Sequence, residues 1–450
     1  MPDPELKEWG VYVYFAADVP SPAMRRGAKL NLRKLADVGS NDMLGITVLM
    51  DQPDVDTQLY VIPPQPEGKD EWLVQPSEFL PNVNTASTDT IREFFDWSVE
   101  NCPAKKIAFV FWGHGYAIDD FDPRLEPKDL SPMEAPEGQF PVDGEMGRDF
   151  EDQSSDAPSA AEISADRFAR SRNPALKLIF DSSHQSVLNN DQVAQVISTC
   201  RMSLPEGRKL AVLGFDCCNM AMAEVMCEMD GCAEVAVAAE TGLPFQSWVS
   251  ETMLERLLNN APHDSEVFAT VAIEGFIQSF AGRTSTFVAL SACNLALCAK
   301  LEAAAKRLAS ALTEAAGDAR NRAAIFKSRN DCVCFDPDGF IDFDCFCGFL
   351  SEDLTGTPVA DACIEVREVL RQFVIASQFA PNFPDRRISL STGLSIWFPP
   401  WIQNPAVQLP QKQQSINYFQ NGYHRTRFAL ATGWNRFLSR LIDETQSEGI

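Results

Sequence analysis

A histidine between two glycines ends an apolar run at FWGHG (111–115), and a vicinal cysteine pair ends another at FDCCNM (215–220). The chain has only four histidines, so one placed where a strand gives way to a loop is a pointed use of a scarce base. A thiol becomes an effective nucleophile when a base or cation raises its thiolate fraction. It also needs backbone N–H groups facing the developing oxyanion and a pocket that selects substrate. Each part can be assigned. Cys218 would attack, with His114 as general acid/base, and the N–H groups of Gly115 and Cys218 would form the oxyanion hole. Asp216 falls on the same side of a continuing strand as Cys218 and would offer a carboxylate to a basic side chain. His184 and His424 lack a strand-end setting, and His263 sits in the polar stretch NNAPHDSE. Residue types alone leave a structural role open, because a cysteine in a buried strand is usually core and a histidine between glycines is as often structural as catalytic.

The surrounding elements alternate. WGVYVYFAAD (9–18) predicts a strand, 21–39 a helix starting at a capping serine, 45–53 a second strand, and 56–64 an edge strand. A helix over 87–103 leads to an inner strand over 105–115; later come a strand at 209–218, a helix at 219–229 and a strand at 232–242. Strand, helix, strand in repetition implies a mainly parallel sheet with helices on both faces. In such open α/β sheets chemistry collects beyond the carboxyl ends of the strands, where His114 and Cys218 both fall. Beyond 250 the pattern predicts helices at 250–280, 294–316 and 360–378, a strand at 393–400 and a last helix at 432–443. We expect a catalytic domain over 1–290, holding an acidic, aperiodic insertion at about 117–175, and a helical or mixed portion over 291–450 that packs on it.

With 450 residues, 45% hydrophobic, and a net charge of −25, the chain is globular in composition and unsuited to binding nucleic acid or anionic membranes. The start MPDPELKEWG lacks the basic and apolar stretches of a secretory signal, and no segment offers about 18 uncharged apolar residues. Thirteen cysteines, an odd number mostly within apolar runs such as LSACNLALCAK (290–300), suit reduced thiols. The expectation from these features is a cytoplasmic protein.

These residues resemble the clostripain-like cysteine peptidases, a family with the caspase-haemoglobinase fold. The resemblance is carried, in order, by WGVYVYFAAD, FFDWSVENCPAKKIAFVFWGHG, GFDCCNMAMAEV, AVAAETGLPFQSW, GFIDFDCF, GLSIWFPP and FALATGWNRFL. The family pattern of Asp, a small residue, the catalytic Cys, any residue and Met, laid on Asp216 to Met220, implies Cys218 as nucleophile and Cys217 as the small residue's replacement. It implies His114 as the catalytic histidine and Asp216 at the floor of a pocket for a basic residue, with arginine preferred to lysine because a carboxylate can hold guanidinium in bidentate fashion. The expected function is an endopeptidase acting on proteins or peptides with exposed arginine or lysine. Trp397 stands where the family usually has tyrosine, a change expected to be structural. Family members are often matured by cleavage between the His and Cys blocks, and Arg167, Arg170 and Arg172 lie in that interval. They read equally as processing sites, cut by the enzyme itself or an upstream protease, or as basic residues of an exposed loop. A non-catalytic caspase-fold binding or scaffold protein is the alternative from another class.

Glu240 and Thr241 at the end of the 232–242 strand, and Trp248 beyond it, are candidates to wall the pocket, with a structural role equally open. CVCFDPDGFIDFDCFC (332–347) fails as a calcium loop because cysteines occupy its first and twelfth positions. Its Cys-x-Cys spacing also departs from common zinc motifs, and a buried strand is expected instead. No cofactor is expected for the chemistry. Calcium, which the family resemblance allows, would find acidic residues at Asp119, Asp120 and Asp122. The alanine-rich 295–316 segment is amphipathic and reads as a core-packing helix.

Overall fold

A computed structural model describes residues 6–65, 74–117, 177–205, 208–259, 264–281, 288–335, 339–380, 389–404 and 412–447. The strands are β1 (Lys7–Ala16), β2 (Leu44–Asp51), β3 (Thr57–Ile62), β4 (Glu78–Leu80), β5 (Ala104–Trp112), β6 (Gly115–Ala117), β7 (Lys177–Asp181), β8 (Ser186–Asn189), β9 (Leu210–Asp216), β10 (Ala233–Ala238), β11 (Ala289–Asn294), β12 (Phe340–Asp342), β13 (Val374–Phe379) and β14 (Ser395–Trp397). Nine of them form one sheet in the order β13-β11-β10-β9-β5-β1-β2-β3-β4. Its centre, from β10 to β2, is parallel, and the outer strands on both sides pair antiparallel. The expected mainly parallel α/β sheet is therefore present.

The sheet is covered on both faces because its strands alternate between two apolar cores. In β1, Trp9, Val11, Val13 and Phe15 enter one core while Tyr12, Tyr14 and Ala16 enter the other. The first core is closed by α1 (Pro22–Val38), where Ser21 accepts a hydrogen bond from the Met24 N–H. Against the other packs α2 (Thr88–Asn101), capped by Ser87. Next come α3 (Asn190–Cys200), α4 (Ala223–Glu228), α5 (Glu251–Asn259) and α6 (Ser265–Ser279). Of these α3 and α4 join α2, and α5 and α6 join α1. Each large apolar side chain sealed in these layers contributes about 1.5–3 kcal/mol, which makes the sheet a rigid base for its rim.

The remaining helices are α7 (Cys298–Ala315), α8 (Ala319–Asp331), α9 (Phe343–Asp353), α10 (Pro358–Phe373), α11 (Lys412–Asn421), α12 (Arg427–Thr432) and α13 (Trp434–Ser447). They extend the α2 side into one continuous core, in which Trp397 is buried against Tyr418 and Tyr423. Two segments depart from expectation. The helix predicted over 360–378 ends at Phe373, and 374–379 turns into β13, antiparallel to β11. Among the described residues of 332–347, Phe340–Asp342 is strand and Cys334 forms a single antiparallel bridge to Ile341; FDCFC opens α9, because the Asp342 side chain caps it through the Cys345 N–H. Among the described residues no helix is long and apolar enough to cross a membrane.

Candidate active site

β5 and β9 are adjacent and parallel, with Trp112 opposite Asp216. Two residues on, that register brings His114 and Cys218 to the same rim, and the ladder continues through the Gly113 N–H to the Asp216 carbonyl at 3.3 Å. The two loops meet at Gly115. A Cβ on it would lie 2.0 Å from the carbonyl oxygen of Cys218 and 2.9 Å from its nitrogen, so only glycine lets the backbones meet. The His114 carbonyl accepts the Ile179 N–H at 2.9 Å, which ties this loop to β7. Burial pushes the His114 imidazolium down to about 4, so at neutral pH the ring is neutral, the form a general base requires.

The two cysteines occupy opposite environments. Cys217 is fully buried, its thiol directed at the Phe111 carbonyl at 3.5 Å, and burial together with the neighbouring Asp216 carboxyl pushes its pKa well above the ordinary value. A thiol there is inert. Cys218 is only half-buried at the rim, where its Sγ accepts the Leu243 N–H at 3.2 Å and lies 3.8 Å from the Leu243 carbonyl. After Cys218 the chain turns through Asn219, at φ 55°, and runs back along 239–241, with Asn219 N–H to the Thr241 carbonyl and Ala221 N–H to the Ala239 carbonyl. The helix predicted over 219–229 is thereby shortened to Ala223–Glu228.

Asp216 is 3% exposed. Its Oδ2 accepts the Ser247 hydroxyl at 2.5 Å and the Trp248 N–H at 3.3 Å, while Oδ1 has no hydrogen-bond partner among the described residues. Burial raises its pKa to about 7 against these two donors. Ser247 is itself held by Asn31 of α1, whose Oδ1 accepts the Ser247 N–H at 3.1 Å. Trp248 is fully buried, and its ring lies where a Cβ on Gly214 would have to go, so it supports the strand and the carboxylate from behind. Glu240 lies elsewhere: its Oε2 accepts Ser391 Oγ at 2.6 Å and the Gly393 N–H at 3.1 Å, beside the buried Asp342. The Thr241 hydroxyl accepts the Ala289 N–H. Arg167, Arg170, Arg172, Asp119, Asp120, Asp122 and His263 lie outside the described residues.

Leu243, Ser247 and Asn31 were not among the residues singled out from sequence. The readable signal for Asn31 is its position on the buried face of α1 between Ala28 and Leu35, where a polar residue needs a partner. Ser247 is the hydroxyl in LPFQSW, but no local pattern ties it to a residue at 216.

The family model for the clostripain family matches residues 177–441, more than half of the chain and including Asp216 and Cys218. No curated protein sequence matches significantly. Among solved structures, the chain is similar to a secreted C11 cysteine protease from Bacteroides thetaiotaomicron in complex with an irreversible peptide inhibitor (13% identity, TM-score 0.59, 95% of this chain and 99% of that one). It is equally similar to an inactive zymogen C11 protease from Parabacteroides distasonis (14% identity, TM-score 0.59, 95% and 99%). At such identities the likeness concerns the fold, which is the expected caspase-like one. The cytoplasmic expectation is corrected, because neighbours of this fold are described as secreted. The physical reason is that eleven of the thirteen cysteines are buried as free thiols, shielded from oxidants in any compartment, so reduced cysteines do not report where the protein works. By family model and fold together, the chain belongs to the clostripain family of cysteine peptidases.

Proposed function

We propose that the protein is an endopeptidase that cleaves after basic residues, arginine before lysine, with Cys218 and His114 as its catalytic dyad. Support comes above all from the glycine-only contact between Gly115 and the Cys218 backbone, which joins the histidine loop to the nucleophile loop. His114, neutral at rest, takes the thiol proton, and the Cys218 sulfur adds to the scissile carbonyl. The N–H groups of Gly115 and Cys218 receive the oxyanion as the tetrahedral intermediate forms. Collapse expels the amine, to which His114 returns the proton, and leaves a thioester. Water, deprotonated by His114, then releases the acid and restores the thiol.

Asp216 supplies selection. Its buried Oδ1 gains a partner when guanidinium enters, and a cation at that distance draws the carboxyl toward its ionised form. In this reading Trp248 and Glu240 shape the site indirectly, the first by holding Asp216 and the second by anchoring the 389–393 loop of the C-terminal portion. Residues 1–290 supply the catalytic groups and 291–450 steadies them. Activation follows cleavage after Arg167, Arg170 or Arg172, by the enzyme itself or another protease. Calcium is an accessory ion, outside the chemistry.

A fluorogenic arginine peptide tests the reading. Wild type, before or after limited proteolysis, is expected to cleave it and to prefer it to the lysine analogue, while Cys218→Ala does neither. Mass spectrometry of both proteins reports whether chain cleavage maps to the three arginines and needs Cys218. A wild type that cleaves neither peptide in either state would favour the scaffold reading.

A further inference from the structure

The end of β10 is fastened to the C-terminal portion by two buried carboxyl groups. Glu240 lies two residues past β10, and Asp342 ends β12 and caps α9; both are sealed from solvent. Glu240 Oε2 accepts the Ser391 hydroxyl at 2.6 Å and the Gly393 N–H at 3.1 Å. Asp342 accepts the Cys345 N–H at 2.8 Å, the Thr392 N–H at 2.5 Å and the Thr392 hydroxyl at 2.9 Å. Glu240 Oε1 receives no donor among the described residues, yet the Glu240 and Asp342 side chains are hydrogen-bonded to each other. Two ionised carboxylates only accept, so a bond between them requires a proton. Neither carboxyl forms an ion pair with a cation among the described residues. The titratable groups facing the pair are Cys293 of β11, Cys332 just past α8, and Asp344 and Cys345 in the first turn of α9. The nearby cations are engaged elsewhere: Arg367 of α10 donates to Asp344, and Arg329 of α8 to the Phe398 carbonyl. Burial, with the Asp342 charge beside it, pushes the Glu240 carboxyl well above the usual range, so the proton is kept at neutral pH.

We propose that Glu240 and Asp342 hold one proton between them and act as positioning residues for the reaction, fixing a strap of residues 391–395 against the loop that carries Cys218. Glu240 carries the proton on Oε1, because Oε2 already accepts two donors and Asp342, with donors on both oxygens, is the better-stabilised carboxylate. The strap is tightly seated. Gly393 sits at φ 107°, where a Cβ would come within 2.8 Å of both Ser291 and Ser377, and its carbonyl accepts the Ser291 hydroxyl at 2.6 Å. Two residues on, Ser395 lies opposite Asp342 in the β12–β14 pair and gives the Ala221 carbonyl its N–H at 2.9 Å and its hydroxyl at 3.1 Å. Ala221 donates in turn to the Ala239 carbonyl, and Asn219, next to Cys218, to the Thr241 carbonyl, on either side of Glu240. The pair therefore sits where β10, the strap and the nucleophile loop meet. Loss of its proton would leave two charges repelling in a dry site and release the strap. The shared proton stands independently of the peptidase reading; only its effect on Cys218 rests on it.

The test compares full-length wild type with Glu240→Gln and Glu240→Ala. An amide at 240 reproduces the protonated acid, since its oxygen accepts from Ser391 and Gly393 and its N–H donates to Asp342, with nothing left to titrate. A carboxyl raised on folding contributes fully below its unfolded pKa of about 4.3, and that contribution is lost as pH rises toward the folded value. Wild type is therefore expected to lose about 2 °C of melting temperature per pH unit relative to Glu240→Gln between about pH 5 and about pH 8. Its infrared spectrum above neutral pH should carry a protonated carboxylic-acid band that Glu240→Gln lacks. On an arginine peptide, Glu240→Ala should lower kcat about tenfold with KM little changed, and Glu240→Gln should recover most of that loss. Between about pH 8 and about pH 10 the wild-type kcat is expected to fall as the proton leaves, and that of Glu240→Gln to fall less. Identical melting profiles and acid bands in wild type and Glu240→Gln overturn the shared proton, and so does failure of Glu240→Gln to fold. Full kcat in Glu240→Ala, or the same alkaline fall in wild type and Glu240→Gln, overturns the positioning role. Should wild type cleave no peptide, the peptidase reading fails by itself, while the melting and infrared comparison still decides the proton.

Discussion

Replacing Gly115 with alanine tests the central juxtaposition most directly. The added Cβ would sit 2.0 Å from the Cys218 carbonyl oxygen, closer by about 1 Å than any real carbon tolerates, and the obstacle is backbone, which cannot swing aside as a side-chain tip can. Gly115 does not need a left-handed conformation, so the whole effect is steric. The histidine and cysteine loops must therefore part by about 1 Å, which in a positioned site costs about 10²-fold in rate, or about 2.7 kcal/mol of transition-state stabilisation. Stability is expected to fall by about 1–3 kcal/mol, the usual penalty for overpacking. Gly113→Ala is the control: its Cβ would meet Ala16 at 3.5 Å, an ordinary contact, and little should change. The assay is kcat/KM on a fluorogenic arginine peptide, normalised to folded protein, with melting temperatures alongside. Full activity in Gly115→Ala, or equal losses in the two variants, would refute the argument that this approach sets the catalytic geometry.

Asp216 predicts a pH profile. With its carboxyl raised to about 7 by burial, it is mostly neutral below that pH, and kcat/KM for arginine substrates should fall about tenfold per pH unit from about 7 downwards. His114, neutral above about 4, does not set that limb, so Asp216→Asn should remove it from the residual activity while lowering arginine cleavage about 10²-fold or more. The stability sign is opposite: a carboxyl raised on folding contributes fully below its unfolded pKa of about 3.9, and that contribution is lost as pH rises through about 7. Denaturant melts from pH 4 to 8, wild type against Asp216→Asn, measure it. Ser247→Ala removes a donor that favours the Asp216 carboxylate, so the acid limb should move to higher pH, with a stability loss of about 1–3 kcal/mol. An unmoved limb would mean that another group titrates there.

How much could be read without coordinates depended on whether the signal was local. The alternation of β1, the Ser21 and Ser87 caps and the apolar run into FWGHG each express a period or a cap within a dozen residues, so the parallel centre of the sheet and the rim placement of His114 and Cys218 followed from the chain itself. Within the helix expected over 360–378, residues 374–378 have an apolar content that suits either state; pairing with β11, some eighty residues earlier, makes them strand. Position after β10 leaves Glu240 open to a pocket or a structural role; its carboxylate partners, Ser391 and Gly393, lie about 150 residues on, where no local pattern points to them.

The sequence by itself determined the cast: a scarce histidine at one strand end, a cysteine pair at the next, an aspartate in step with the second cysteine, and the family to which their order belongs. Tertiary structure alone decided the environments. It sealed Cys217 against Phe111 while leaving Cys218 at the rim, set Ser247 and Asn31 behind Asp216, and brought Glu240 against Asp342. Burial and mutual distance arise from contacts across hundreds of residues, and they, more than residue type, fix which thiol is shut away and which reaches the rim.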